Sequence, residues 1–214
     1  MTTWVLASGN AHKIAEFNGF FAASGLDLRL IPMKEAGFDG VVEENGLSFA
    51  ENAYVKAKTV AEATGQTVLA DDSGLCVDAL GGAPGIRSAR YAGTHGDDDA
   101  NNEKLLGELE NVPDGERTAR YVCALCVVFP DGGSAVTEGT VEGRILREKK
   151  GSGRFGYDPL FWYEPLGRTF AELTPAEKET VSHRGEALRK MIPVFRERIE
   201  KQTDTESDKE RRTQ

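Results

Sequence analysis

In the amino-terminal part of the chain, a short apolar run is followed by a small-residue turn and then by apolar residues at helical spacing. Residues 3–7 predict a strand, and Ile14, Phe17, Phe20 and Phe21 recur at the three- and four-residue intervals of a helix with one buried face. A strand, a tight turn and a helix in this order form the opening unit of an α/β protein. The pattern therefore predicts an α/β fold.

The rest of the chain shows the same signals of strands and capped helices. They predict strands over residues 28–31, 67–70, 117–129, 134–146 and 160–163, and helices that end near residue 64, cover 97–110, begin at Thr174 and run from about 185 to 200. Ser48 and Glu51 have the spacing of a capping box before the second helix. Residues 201–214 are mostly charged and contain no large apolar side chain, so they predict a disordered tail after a single folded domain of residues 1–200.

Composition and charge exclude several classes of function. The chain of 214 residues can bury a core without disulfides, and its formal charge of −9 argues against a nucleic acid polymer as partner. No leader peptide begins the chain, and no apolar run approaches the roughly 20 residues that span a bilayer, so we expect a cytoplasmic protein that binds no membrane. Cys123 and Cys126 match C-x-x-C inside a predicted strand, where their side chains face opposite sides, so we expect buried thiols.

The turn after the first predicted strand has the features of a phosphate-binding loop. Ser8, Gly9 and Asn10 allow close approach of the backbone and precede a helix amino terminus, and Lys13 adds a positive charge. No Walker motif occurs in the chain. These residues alone are equally compatible with a plain strand-to-helix turn that carries an exposed lysine.

Paired carboxylates indicate a possible site for a divalent cation. Asp71 and Asp72 follow the strand predicted over residues 67–70, and ligands commonly bind at the carboxyl ends of strands in open α/β sheets. Carboxylate oxygens suit Mg²⁺, and Glu43 or Glu44 could supply another ligand. Because adjacent carboxylates point apart, we expect one of each pair to reach a metal. A solvated acidic pair is the alternative; the Asp-Ser-Gly triplet also resembles an aspartic protease signature, without the second copy that such an enzyme needs.

A second group of residues has the chemistry of a base-binding pocket. Phe155 and Tyr157 offer stacking faces, Asp158 offers a carboxylate, and His183 and Arg184 offer hydrogen-bond donors. The preceding glycines match G-x-G-x-x-G, but an aromatic strand follows them where a dinucleotide-binding unit has a helix. A structural histidine and a core phenylalanine are the alternatives here. Together the motifs suggest phosphate chemistry on a nucleoside polyphosphate.

Several motifs, in the same order, resemble those of the Ham1-type inosine triphosphate pyrophosphatase family, whose members are also called XTP/dITP diphosphatases. The resemblance covers residues 4 to about 195. The motifs are residues 8–13 (SGNAHK), 44–53 (ENGLSFAENA) with Lys56, 70–75 (ADDSGL), 81–86 (GGAPGI), 88–91 (SARY), 155–159 (FGYDP), 172–174 (ELT) with Lys178, and 182–185 (SHRG).

The resemblance implies a fold, a reaction and an assembly. The fold would be α/β, an elongated mixed β-sheet with flanking helices that form two lobes around a central cleft. The protein would be a homodimeric hydrolase that uses Mg²⁺ to convert ITP, dITP and XTP to the monophosphate and pyrophosphate. Such an enzyme removes non-standard purine nucleotides from the nucleotide pool.

The resemblance also implies roles for individual residues. Glu44 and Asp72 would serve the metal, with Glu43 as the less favoured choice, and Asp72 would be the proton acceptor. The residues that would contact the substrate are Ser8, Gly9, Asn10, Ala11, His12, Lys13, Lys56, Ser73, Phe155, Gly156, Tyr157, Asp158, Lys178, His183 and Arg184.

These roles predict a mechanism and leave two alternatives open. Water would attack the α-phosphorus in line with the departing pyrophosphate, Lys13 and Lys56 would neutralise phosphate charge, and Asp72 would orient or deprotonate the water. Hydrogen-bond donors in the base pocket would favour a 6-oxo base over adenine. The alternatives are a pyrophosphatase for other modified or ordinary nucleotides and a sensor that binds a triphosphate without hydrolysis.

Overall fold

The structure is a computed structural model that describes residues 1–153 and 155–212; the side chains of His12 and of residues 203–212 lie outside that description. The strands are β1 (Thr2–Leu6), β2 (Leu28–Pro32), β3 (Val68–Val77), β4 (Thr118–Val128), β5 (Ser134–Ile145), β6 (Phe161–Tyr163) and β7 (Arg168–Thr169). The α-helices are α1 (Ala11–Ala23), α2 (Phe49–Thr64), α3 (Asp98–Glu108), α4 (Pro175–Val181) and α5 (His183–Arg212). Short 3-10 helices cover Asp78–Leu80, Gly85–Arg90, Asp114–Glu116, Glu164–Leu166 and Phe170–Glu172. These elements confirm the predicted α/β class.

Within this part of the chain, seven strands form one mixed sheet in the order β2-β1-β3-β4-β5-β6-β7. β1 pairs in parallel with β2 and β3, whereas every later pair is antiparallel. The sequence prediction ended the third strand at Ala70. That boundary was wrong, because pairing with β4 continues as far as Val77. Asp71 and Asp72 therefore lie inside β3, just beyond Leu69, the last residue of β3 that pairs with β1.

Apolar side chains cover both faces of the sheet. On one face, Trp4 packs edge-on against Phe195 of α5, with ring centroids 5.4 Å apart. This cluster includes Cys123, whereas Cys126 belongs to the cluster under α2. Both cysteines are free and buried, and burial raises the pKa of each thiol to about 12. The prediction of two buried thiols on opposite faces is confirmed.

The helix-capping predictions are confirmed with one change. Ser48 caps α2 by accepting a hydrogen bond from the backbone N–H of Glu51 at 3.1 Å. The Glu51 carboxylate reaches past Ser48 and accepts from the N–H of Leu47 at 2.7 Å. Thr174 and its partner at the third helical position form the full capping box that starts α4. These caps set where the helices that border the cavity begin.

The last helix is longer than the sequence predicted. α5 continues beyond Glu200 to Arg212, so helical backbone covers most of the segment predicted to be disordered. The segment contains no Gly or Pro, and its Lys, Glu and Arg residues favour helix even without apolar packing. No helix in the described part of the chain is long and apolar enough to cross a membrane. The domain boundary at residue 200 stays a prediction.

Candidate active site

A cavity of about 440 Å³ opens beside β3, and it draws side chains from both ends of the chain. The predicted site residues that line it are Ser8, Asn10, Lys13, Glu44, Lys56, Asp72, Ser73, Phe155, Gly156, Tyr157, Asp158, Lys178, His183 and Arg184. Gly9 and Ala11 are exposed and do not line it, and the side chain of His12 lies outside the described residues. The structure therefore brings the two distant motifs to one cavity, while the roles of their residues stay predictions.

The turn between β1 and α1 borders one end of the cavity. Ser8 Oγ accepts a hydrogen bond from the backbone N–H of Asn10 at 3.1 Å, and Asn10 Oδ1 accepts from the N–H of Lys13 at 3.3 Å. Asn10 thus occupies the capping position of α1, which short polar acceptors favour. The positive end of the helix dipole and the Lys13 ammonium both lie at this end of the cavity. Such an end favours anions.

Asp71 lines the cavity but is only 3% exposed. Its carboxylate accepts hydrogen bonds from Lys13 Nζ at 2.8 and 2.9 Å and from Arg184 Nη2 at 3.3 Å. Burial alone would raise the pKa of Asp71, but the charges of Lys13, Arg184 and Lys56 together hold that pKa well below its usual range. Asp71 is therefore an anion that holds two cations from distant parts of the chain.

Asp72 faces the other side of the strand, as expected for adjacent carboxylates. Its Oδ1 accepts from Lys56 Nζ at 3.2 Å, and its Oδ2 accepts from Asn52 Nδ2 at 3.1 Å. Burial raises the pKa of Asp72 above its usual value, although Lys56 and Asn52 oppose the shift. Asp72 is therefore the carboxylate of this pair with the greater affinity for a proton.

Two carboxylates converge on the ammonium of Lys56. Glu44 Oε1 lies 3.3 Å from Lys56 Nζ, and Asp72 approaches from another direction. Burial would lower the pKa of Lys56, but Asp72, Asp71 and Glu44 raise it overall, so the ammonium stays charged. As a candidate metal ligand, Glu44 fits this geometry better than Glu43. Glu43 does not line the cavity, and it accepts a hydrogen bond from Asn45 at 3.1 Å.

The same contacts bear on two predictions from the sequence, a site for a divalent cation and the alternative of an aspartic protease. Within the described residues, no group of three or more Asp, Glu, His or Cys is arranged to hold a metal ion. A cation near Glu44 and Asp72 would therefore need oxygens from phosphate or water, as Mg²⁺ commonly does. Because Lys56 bridges these two carboxylates, they do not form the proton-sharing pair of an aspartic protease.

The opposite end of the cavity carries an aromatic loop that α3 holds in place. The backbone N–H of Gly156 donates to Asp98 at 2.7 Å, and Asn102 donates to the Gly156 carbonyl at 2.8 Å. Phe155 is 54% exposed at this loop. Tyr157 is buried in the core and donates its hydroxyl to the Ser88 carbonyl at 2.9 Å, so Phe155 is the more exposed of the two rings.

Polar groups lie beside that exposed ring. Lys178 forms an ion pair with Asp158, and its ammonium lies 5.1 Å from the centroid of the Phe155 ring. Burial raises the pKa of Asp158 above its usual value, while Lys178 opposes the shift. Tyr121 donates its hydroxyl to the other oxygen of Asp158 at 3.3 Å. These contacts place hydrogen-bonding side chains next to the exposed ring of Phe155.

His183 and Arg184 form the first turn of α5 rather than the loop before it. The His183 ring stacks on Tyr121, with centroids 4.9 Å apart and planes 11° apart. Burial, with the charges of Arg184 and Lys178, lowers the pKa of His183 well below its usual value, so the ring is neutral. Arg184 donates to both oxygens of Glu16 at 3.0 and 3.1 Å, and it makes a long contact of 3.5 Å to Ser73 Oγ.

Sequence reasoning missed several residues of this site. Asn52 and Glu16 could have been predicted from helical spacing. Asn52 lies four residues before Lys56, and Glu16 lies three residues after Lys13, so each shares a helix face with a predicted site residue. The position of Tyr121 between Asp158 and His183 had no such signal, since three separate elements have to meet to create it.

The chain matches one known protein family over most of its length. The model of the Ham1 family matches residues 4–194, which include every cavity residue named above. A dITP/XTP pyrophosphatase of Streptomyces coelicolor is 48% identical over 197 residues, which are 92% of this chain and 98% of that protein. A dITP/XTP pyrophosphatase of Bacillus subtilis is 46% identical over 191 residues, which are 89% of this chain and 96% of that protein.

Solved structures show the same architecture. The Ham1 protein of Staphylococcus aureus has a TM-score of 0.82 and 43% identity, over 92% of this chain and 98% of that one. A HAM1 protein of Coxiella burnetii has a TM-score of 0.84 and 40% identity, over 92% of this chain and 100% of that one. The mixed sheet with flanking helices is therefore shared with these proteins.

Proposed function

Because this chain belongs to the Ham1 family, we propose that it is a nucleoside triphosphate pyrophosphohydrolase that converts ITP, dITP and XTP to the monophosphate and pyrophosphate. It is a hydrolase of phosphoric anhydrides, like the relatives named dITP/XTP pyrophosphatase. The observation that carries the proposal is the division of one cavity into a cationic end at Lys13 and Lys56 and an aromatic, hydrogen-bonding end at Phe155. A nucleotide has the same two halves.

The proposed reaction is an in-line displacement at the α-phosphorus. A bond forms from the water oxygen to phosphorus, the bond to the bridging oxygen breaks, and pyrophosphate leaves. Asp72 orients the water and accepts its proton, and the raised pKa of Asp72 improves it as a base. Lys13 and Lys56 neutralise charge on the phosphate oxygens. Both ammonium groups lie beside carboxylates that line the same cavity.

Mg²⁺ is the metal of this proposal, and Glu44 and Asp72 would hold it. The support is the convergence of these carboxylates on one cationic point, within 3.3 Å of Lys56 Nζ. Mg²⁺ binds through one or two carboxylates and completes its shell with phosphate oxygens and water. When bound, such an ion supplies charge neutralisation and alignment of the triphosphate.

Base selection would take place between Phe155 and the first turn of α5. The exposed ring offers a stacking face, and Lys178, His183 and Arg184 offer donors to a 6-oxo group. Because His183 is neutral, one of its ring nitrogens carries a proton that it can donate. A pocket built for an acceptor can reject a donor such as the 6-amino group of adenine by about 10⁴.

Three further parts of the proposal rest on the sequence. They are a homodimeric assembly, a cytoplasmic location, and a single functional domain over residues 1–200. Each follows from the resemblance or from composition. The homodimer is tested by measuring the mass of the protein in solution, and the extent of the domain is tested by truncation below.

The proposed activity is tested by pyrophosphate release from ITP, XTP, dITP, ATP, GTP and dUTP at one concentration, with Mg²⁺ and with EDTA. We expect release from the first three alone, and loss of release in EDTA. Release from all six would support the alternative of a broad nucleotide pyrophosphatase. Tight ITP binding without release would support a sensor and would contradict the proposed function.

Asp72→Asn tests the proton acceptor. This change keeps the shape of the side chain but removes the charge and the basicity, and it replaces one of the two acceptor oxygens that Lys56 and Asn52 bind with an amide donor. We expect kcat for ITP to fall by about 10² to 10⁴, the usual contribution of a general base. Binding of ITP, measured by calorimetry without turnover, should persist. A kcat near that of the wild type would remove Asp72 from the mechanism.

A further inference from the structure

Asp71 is a buried charged group of the cavity to which the proposed reaction gives no part. It lies on β3, which pairs along its length with β4. One of its oxygens, Oδ2, lies 2.8 Å from Lys13 Nζ and 3.3 Å from Arg184 Nη2. A single oxygen thus contacts Lys13, at the phosphate end, and Arg184, to which the proposed function gives a part in base selection and which also contacts Glu16 and Ser73.

The two cations depend on Asp71 to different degrees. Among the described residues, Asp71 is the one carboxylate that forms an ion pair with Lys13. Arg184 has a second carboxylate partner, Glu16, whose side chain is 40% exposed on α1. Loss of Asp71 would therefore leave Lys13 without a counter-charge and Arg184 with a more solvated one.

Electrostatics explains why the two cations need a shared partner. Two like charges this close repel each other strongly in a site shielded from water. The Asp71 carboxylate between them offsets that repulsion and sets their separation. Because both cations bind the same oxygen, we expect a change in the position of one to shift the other.

We propose that Asp71 is a positioning residue that couples the phosphate end of the cavity to the base end, so that recognition of the base determines how well the phosphates are held for attack. The proposal rests on the function proposed above and deepens it. Asp71 does not touch the reacting atoms; it acts through Lys13 and Arg184. Base specificity then depends on a residue that need not contact the base.

Asp71→Asn tests the coupling, with Glu16→Gln as the matched control. The quantity measured is the ratio of kcat/KM for ITP to kcat/KM for ATP. We expect Asp71→Asn to lower that ratio by about tenfold or more, within the range of coupling between linked sites, and to lower ITP turnover as well. Inhibition by tripolyphosphate separates the two variants: it should weaken in Asp71→Asn, which also releases Lys13, and stay as strong as in the wild type in Glu16→Gln, which releases Arg184 only.

A second variant covers the case in which Asp71→Asn does not fold. Lys13→Gln removes the other half of the pair, and coupling predicts that it also lowers the ITP to ATP ratio, although Lys13 lies at the phosphate end. Where Asp71→Asn does fold, the double variant Asp71→Asn/Lys13→Gln should lose as much of the ratio as the larger single change rather than the product of both. Equal losses for ITP and ATP in both single variants would overturn the proposal.

Failure of the proposal can be told apart from failure of the proposed function. If the wild-type protein releases pyrophosphate from no nucleotide, the function fails, and the coupling is then measured by binding. Calorimetry of inosine, which has no phosphate to compete with tripolyphosphate, should give two different affinities in the wild type with and without tripolyphosphate. In Asp71→Asn the two affinities should differ less, and an unchanged difference would overturn the coupling.

Discussion

Two neighbouring aspartates of β3 have opposite acid–base behaviour because a strand sends successive side chains to opposite faces. Asp71 faces Lys13 and Arg184, and their charges lower its pKa despite burial. Asp72 faces α2, where burial outweighs the single ammonium of Lys56 and raises its pKa. One residue is therefore suited to hold cations and the other to exchange a proton.

His183 provides a test of electrostatics at the scale of one residue. Its pKa is well below the ordinary value of 6.5 in the fold, so the unfolded chain binds one more proton once pH falls below about 6.5. The free energy of unfolding should therefore fall as pH drops from 7 to 5, by up to about 1.4 kcal/mol per pH unit from this group. Urea unfolding at each pH, with His183→Gln beside the wild type, measures the slope.

His183→Gln should flatten that slope, because glutamine does not titrate. His95 is an exposed histidine that lines the same cavity, so His95→Gln is the matched control for the loss of an imidazole. Parallel slopes for wild type and His183→Gln would show that His183 titrates alike in the folded and unfolded chain.

At the scale of elements, the site depends on how closely α5 approaches β5. A Cβ atom at Gly139 of β5 would clash with the His183 carbonyl oxygen and lie 2.5 Å from the backbone nitrogen of Ala187. Both atoms belong to helix backbone, which cannot rotate away. Glycine at this position therefore allows the first turn of α5, with His183 and Arg184, to reach the cavity.

Gly139→Ala should consequently displace that turn. We expect a loss of about 1–3 kcal/mol in the free energy of unfolding, typical of overpacking, and a larger proportional loss of ITP turnover. Thermal unfolding and steady-state kinetics measure the two effects. Gly107→Ala is the control, because a Cβ atom there meets nothing within 4 Å inside α3. That change should stabilise the protein by up to about 1 kcal/mol and leave turnover unchanged.

At the scale of the whole molecule, the two ends of the chain meet in one core. Trp4 of β1 packs against Phe195 of α5, and its indole donates to Gln202 at 3.3 Å. The apolar residues of α5 that belong to this core extend to Ile199. The carboxyl-terminal helix therefore packs against the rest of the fold up to about Gln202.

Truncation tests where the functional domain ends. Removal of residues 203–214 spares every core contact of α5 named here, so we expect Tm to change by less than about 2 °C and ITP turnover to persist. Removal of residues 191–214 also deletes Phe195, and loss of a buried aromatic ring alone costs about 3–5 kcal/mol. A large loss of stability on removal of residues 203–214 would place the domain boundary beyond residue 200.

Local patterns were sufficient to predict most elements. The apolar spacing of α1, the caps of α2 and α4, and the alternation that buries Cys123 and Cys126 on opposite faces all arise from neighbours in the chain. The motifs that form the candidate site were recognisable for the same reason, since each is a short run of residues.

Tertiary structure alone decided the features that require distant segments to meet. The continuation of β3 through Asp72 depends on pairing with β4, and the burial of Tyr157 depends on packing against the segment that holds Ser88. The sharing of one Asp71 oxygen between α1 and α5 is decided in the same way. The sequence by itself determined the elements and the chemical types at the site, because these depend on local periodicity; which groups share charge depends on distances that only the folded chain sets.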